Sequence, residues 1–158
     1  MFKYFPVDTD PKKFAIGTRR GFSDMVALWQ SKSARDAIPA QQDFKLKDFI
    51  GWHARMAISE ILPSTCDIRF QYFGSDMVMQ QDDDLTGTTL SERLPEAHEK
   101  IYRAHIARFL ESPVFAMGQV QAASDKEKHI STTMMYLPLA DDGQNTNKLI
   151  HLTCRRIL

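Results

Sequence analysis

Apolar positions along the chain keep two different spacings, and the changes between them mark out its elements. From Phe22 the spacing is helical: Phe22, Met25, Val26 and Trp29 fall at i, i+3, i+4 and i+7 and make one stripe. Ser23 and Asp24 stand where a helix start has free N–H groups, and Pro39 disfavours helix just before it. The spacing then shortens to two. Trp52 to Leu62 reads as a strand stopped by Pro63, and Cys66 to Phe73 as the next, with Ile68, Phe70 and Tyr72 alternating against Asp67, Arg69 and Gln71. The short Pro-Ser-Thr connection predicts an antiparallel hairpin. Met77, Val78 and Met79 predict a brief helix before the acidic run Asp82-Asp83-Asp84, and Asp43 to Ile50 a short helical turn.

Pro95 opens the longest helical segment, which runs to about Glu111. Glu96 and Glu99 lie early in it and Arg103 and Arg108 late, the charge order that suits the helix macrodipole. Ile101, His105 and Arg108 follow one face; Tyr102, Ile106 and Phe109 follow the adjacent one. After Pro113 three strands are predicted. The first carries Val114, Ala116, Gly118, Val120 and Ala122, and a Ser124-Asp125-Lys126 turn follows it. The second carries Ile130, Thr132, Met134 and Tyr136. An Asp141-Asp142-Gly143 turn leads to the third, Leu149 to Ile157. Residues 1 to 20 keep neither spacing and read as an irregular arm. The expected organisation is an arm with an amphipathic helix over 1–36, then a domain over 37–158. Two strands, a helical middle and three strands predict an α+β fold: a five-stranded antiparallel sheet with helices over one face.

Composition narrows the function classes. At 158 residues, with 43% apolar and 25% charged side chains, the chain matches an ordinary globular domain. Twenty basic side chains balance twenty acidic ones, so the positive excess of a nucleic-acid binder is missing. No apolar run approaches the roughly 20 residues that span a bilayer, and the opening residues hold no leader-like segment. The expectation is a cytoplasmic protein that neither inserts into membranes nor binds nucleic acid. Cys66 and Cys154 lack the spacing of a redox pair or zinc site and read as small buried hydrophobes in strands.

Several local motifs occur in a telling order. Phe70, Tyr72 and Gly74, followed by Asp84-Leu85-Thr86-Gly87, resemble the "F-x-Y-x-x-x-G-T … G-x-D-L-T-G" signature of a bacterial branch of the PAS sensor domains, the PAS_5 branch. Ile38-Pro39-Ala40 with Asp43-Phe44 is similar to that branch's "l-P-a-r-x-d-f", and Leu137-Pro138-Leu139-Ala140-Asp141-Asp142-Gly143 to its "L-P-L-s-x-D-G". Phe70 stands where the pattern has tyrosine, Tyr72 where it has leucine, and Asp82 where it has glycine; aspartate tolerates the left-handed backbone such a turn requires. The resemblance implies a stand-alone sensory or regulatory module that is not an enzyme. Having no effector domain of its own, it would pass its output to another chain, such as a histidine kinase or second-messenger enzyme. It also implies a homodimer, with Phe22, Met25, Val26 and Trp29 as the self-association surface.

Candidate chemistry is sparse. In haem-binding PAS relatives the axial histidine sits on a helix comparable to the long one here, where His98 and His105 lie seven residues apart; the plain alternative is a helix histidine with nothing bound. The N-C-R-F-L-Q motif of flavin photosensors is absent. His129, His151, Glu60, Asp67 and Glu127 fall in strand regions without metal-site spacing. No G-x-S-x-G or P-loop occurs. A second reading is a cone-shaped α+β enzyme doing acid–base work on a buried small molecule through His105, His151 or Glu60. Eight methionines suggest either core filling or an adaptable apolar pocket. The expected pocket lies between sheet and helices, lined by Phe70, Met77, His105, Met117 and Met134 and closed by Tyr72, Tyr102 and Tyr136, whose rings join an apolar body to one polar handle.

Overall fold

The computed structural model describes residues 1–15, 21–34, 36–120 and 129–157. Its backbone is one open antiparallel sheet of six strands: β1 (Phe2–Pro6), β2 (Met56–Leu62), β3 (Asp67–Phe73), β4 (Val114–Val120), β5 (Ile130–Leu139) and β6 (Lys148–Ile157). Their spatial order is β1-β4-β5-β6-β2-β3, so the last strand of the chain lies beside the first strand of the hairpin. Three α-helices accompany it: α1 (Phe22–Lys32), α2 (Ser75–Gln81) and α3 (Glu96–Glu111). The α+β class, the hairpin β2–β3 and the long helix are as expected.

The strand count is not. The stretch read as an irregular arm contains β1, which pairs with β4 from Phe2 opposite Gly118 to Pro6 opposite Val114. It makes the sixth strand in place of the expected five. The helices also cover both faces of the sheet. Side chains alternate along β4, β5 and β6: Phe115, Met135, Leu137, Ile150 and Leu152 enter one apolar cluster, whereas Ala116, Tyr136 and Leu149 enter another. The first cluster is capped by α1 and short 3-10 turns, through Phe14, Phe22, Trp29, Phe49 and Trp52. The second is capped by α2 and α3, through Met77, Ile106 and Phe109. A sheet buried on both sides carries near-continuous apolar strands, and the runs Met135-Tyr136-Leu137 and Leu149-Ile150 are of that kind.

This arrangement decides the fate of the expected dimer surface. Phe22, Met25, Val26 and Trp29 are all at most 1% exposed within a single chain. Trp29 stands edge-on to Phe115, and its indole N–H donates to the Pro138 carbonyl at 2.7 Å. The stripe therefore packs on its own sheet and presents nothing to a second copy. Packing also crosses the boundary expected at residue 36, since β1 and α1 share the sheet and its core.

Smaller shifts have local causes. The strand expected from Trp52 begins at Met56, because Trp52 opens a 3-10 turn over His53–Arg55. Cys66 has φ 49 and occupies the hairpin turn rather than a strand, half-exposed, whereas Cys154 is buried in β6. Asp82 does adopt the left-handed conformation, with φ 56, and ends α2. Ala122, the Ser124-Asp125-Lys126 turn and Glu127 lie outside the described residues.

Removing the Trp29 side chain tests the intrachain role of α1. Trp29→Ala should lower unfolding free energy by about 3–5 kcal/mol, the cost of truncating a large buried aromatic. Urea unfolding reads that loss, and light scattering should show the same oligomeric state in both proteins. Near-unchanged stability with a changed oligomeric state would mean that the indole serves an intermolecular contact.

Candidate functional site

Between the sheet, α2 and α3 lies a cavity of about 250 Å³. Its floor is the inner face of the sheet, with Phe70 and Phe73 from β3, Thr132, Met134 and Tyr136 from β5, and His151 from β6. Met77 and Gln80 of α2 and Tyr102 of α3 form its sides; Leu85, Leu90 and Arg93 come from the intervening loop. Phe2 of β1 closes one end.

The Asp84–Gly87 motif builds the roof. Asp84 Oδ1 accepts from the Thr86 backbone N–H at 3.0 Å and from the Thr86 hydroxyl at 2.6 Å, a side-chain-closed turn. These bonds hold the Asp84 carboxyl below its usual pKa. Gly87 has φ 81, which only glycine adopts without strain. The turn then lies along the open edge of β3: Gly87 N–H donates to Phe70 C=O at 2.7 Å, Phe70 N–H to Thr88 C=O at 3.0 Å, and Leu90 N–H to Ile68 C=O at 3.0 Å. Leu85 and Leu90 are thereby set over the cavity. Asp67, buried at the start of β3, fastens the far end of the loop by accepting from Ser91 N–H and the Ser91 hydroxyl. Gly74 stands just before α2. A Cβ there would lie 2.5 Å from the Ala54 carbonyl oxygen, so the start of α2 comes closer to that backbone than any other residue allows. Of the motif residues, Phe70 and Leu85 line the cavity and the others shape the turns that place them.

Five expected pocket residues line the cavity: Phe70, Met77, Tyr102, Met134 and Tyr136. Three do not. Tyr72 sits on the opposite face, half-exposed, its hydroxyl donating to the His53 carbonyl at 2.6 Å. The cause is a bulge: Ile58 pairs with Tyr72 but Ser59 with Phe70, so Gln71 is an extra residue and the alternation flips beyond it. Met117 alternates onto the α1 side of the sheet. His105 lies behind the cavity wall, stacked on Phe2 at 4.2 Å between ring centroids. Its Nδ1 is 2.6 Å from the Tyr4 hydroxyl, a bond that ties β1 to α3. Phe2, Phe73, Leu85, Leu90 and His151 were not foreseen as lining; Leu85 and Leu90 bracket the motif, and that placement was the available signal.

The polar groups of the site are unevenly served. Tyr102 OH and Gln80 Nε2 are sealed from solvent and have no hydrogen-bond partner among the described residues. Burial, reinforced by Tyr136 and Asp67, drives the Tyr102 hydroxyl well above its ordinary pKa, so it remains a donor. His151 Nε2 is 2.7 Å from the Ser59 hydroxyl. Burial pushes the His151 imidazole down to about 3 and His105 to about 4. Arg93, at the cavity rim, is paired with Asp83.

The remaining sites do not assemble. His98 is exposed while His105 is buried, so the two share no common environment. Glu60 is half-buried in the hairpin, and His129 is exposed beside the start of β5. Among the described residues, no group of three or more His, Cys, Asp or Glu side chains is placed to hold a metal ion. No helix among them is long and apolar enough to cross a membrane. The chain matches no family model and no curated protein.

The two buried imidazoles set a pH dependence. Neutral in the fold, both would protonate near 6.5 in the unfolded chain. Their stabilisation is therefore complete above about pH 6.5 and is lost as the pH falls toward about 4 for His105 and about 3 for His151. Between pH 7 and pH 5 each should cost up to about 2 kcal/mol. The urea midpoint should fall over that interval, and His105→Phe should remove roughly half of the fall. A midpoint independent of pH there would contradict the burial of these rings.

Proposed function

We propose that this protein is a PAS-like regulatory module that binds a small, mainly apolar molecule between its sheet and helices. One observation carries the reading: a mainly apolar cavity of about 250 Å³ holds two buried, unpaired polar groups and is covered by Leu85 of the Asp84–Gly87 turn. An apolar cavity of about 150 Å³ accommodates benzene, so this one suits a single ring with a short substituent. The succession of two strands, a short crossing helix, a long helix and three strands supports the PAS resemblance. So does the way those five strands form one contiguous block, β4-β5-β6-β2-β3. The helices on both faces and the added β1 are this chain's own elaboration.

On this reading the cavity senses rather than transforms. The one imidazole lining it, His151, engages Ser59 through Nε2 and stays neutral down to about pH 3, a poor setting for a general acid near neutrality. A small volume and a His105 turned toward Tyr4 also weigh against haem. The output passes to another protein, and the resemblance points to a signalling enzyme such as a histidine kinase as that partner.

Native mass spectrometry against denatured protein, followed by a thermal-shift screen of small metabolites, tests the proposal. A bound compound or a screening hit at about 100-fold over its Kd should raise Tm by about 5–10 °C. Met134→Trp, which fills the cavity, should abolish the effect. No co-purifying molecule and no shift with any compound would remove the ligand reading.

A further inference from the structure

The cavity's unpaired groups specify what kind of molecule it takes, an inference that rests on the ligand reading above. Tyr102 OH and Gln80 Nε2 come from different helices, and both line the same cavity. Each is a donor held away from water without an acceptor among the described residues. A buried donor left unsatisfied is costly, and buried polar groups in folded proteins are normally paired. The rest of the lining is mainly apolar, with Phe70, Met77, Leu85 and Met134 beside Thr132 and His151.

Charge decides between the two acceptor chemistries that would fit. A carboxylate would need a free cation. Among the described residues Arg93 is the cation of the lining; it is exposed and paired with Asp83, and the adjoining loop carries Asp82, Asp83 and Asp84. Both available donors are neutral, and His151 remains uncharged. Burying an anion there would leave its charge uncompensated. A carbonyl oxygen requires only donors.

We propose that the cavity is selective for a compact uncharged carbonyl compound: a ring-sized apolar body bearing one ketone, aldehyde or amide oxygen. That oxygen accepts from the Tyr102 hydroxyl, with Gln80 Nε2 as second donor. Tyr102 is the specificity-determining residue.

Three probes of nearly equal size separate the possibilities: acetophenone, ethylbenzene and benzoate, titrated by NMR against the whole chain. Acetophenone should bind at least about tenfold more tightly than ethylbenzene, which leaves both donors unpaired. Benzoate should be the weakest. Tyr102→Phe should reduce acetophenone to the affinity of ethylbenzene. The variant should keep or gain thermal stability when empty, because the lost hydroxyl has no partner there. Gln80→Leu should weaken acetophenone in the same direction. Equal binding of acetophenone and ethylbenzene, tighter benzoate, or an unchanged Tyr102→Phe would overturn the carbonyl inference and leave the ligand cavity standing. No binding of any probe would overturn both.

Discussion

The fold around the cavity depends on one set of backbone hydrogen bonds, those by which the turn after α2 clasps the free edge of β3. Gly87, Thr88 and Leu90 pair with Phe70 and Ile68 as a further strand would. An exposed sheet edge is a hazard, and covering it with a loop is one of the ways proteins manage it. Here the cover does a second job. It carries Leu85 and Leu90 from the sheet edge to a position above the sheet, and Asp67 holds its far end through Ser91.

The opposite face of the sheet is built on a different principle. There α1, the 3-10 turns that carry Phe14 and Phe49, and Trp52 supply large aromatic groups, and Phe22 stacks on Trp52 while Trp29 meets Phe115 edge-on. Both clusters use the same strands through alternate residues, so a change in one face is felt through β4, β5 and β6 by the other. β1 joins the two as well, with Phe5 on the α1 side and Phe2 and Tyr4 on the α3 side. The Tyr4–His105 bond then ties the N-terminal strand to the helix that lines the cavity.

Much of this was legible from residue spacing. The period of two in Ile68 and Phe70 and the period of 3.6 through Tyr102, Ile106 and Phe109 read directly, and the Asp82 turn came through the family pattern. What escaped did so for physical reasons. β1 is short, and since Phe2, Tyr4 and Phe5 are all at least partly buried on two faces, no polar alternation announces it. Tyr72 was misplaced because a bulge is a matter of pairing between strands, invisible in one strand's own pattern. The α1 stripe reads alike whether its cover is the chain's own sheet or a second copy; only Phe115, Met135 and Leu137 facing it decide the matter. The unpaired Tyr102 hydroxyl is likewise a property of what surrounds it.

The central claim is that a mainly apolar cavity exists beneath the clasp, and xenon is the most direct probe of it, since it enters such spaces without needing a polar contact. Methyl NMR under xenon pressure should show saturating shifts at Met77, Leu85, Leu90 and Met134, with Met56, Ile58 and Met117 on the other face unmoved. Silence at the first four methyls, or shifts spread equally over both faces, would contradict the account.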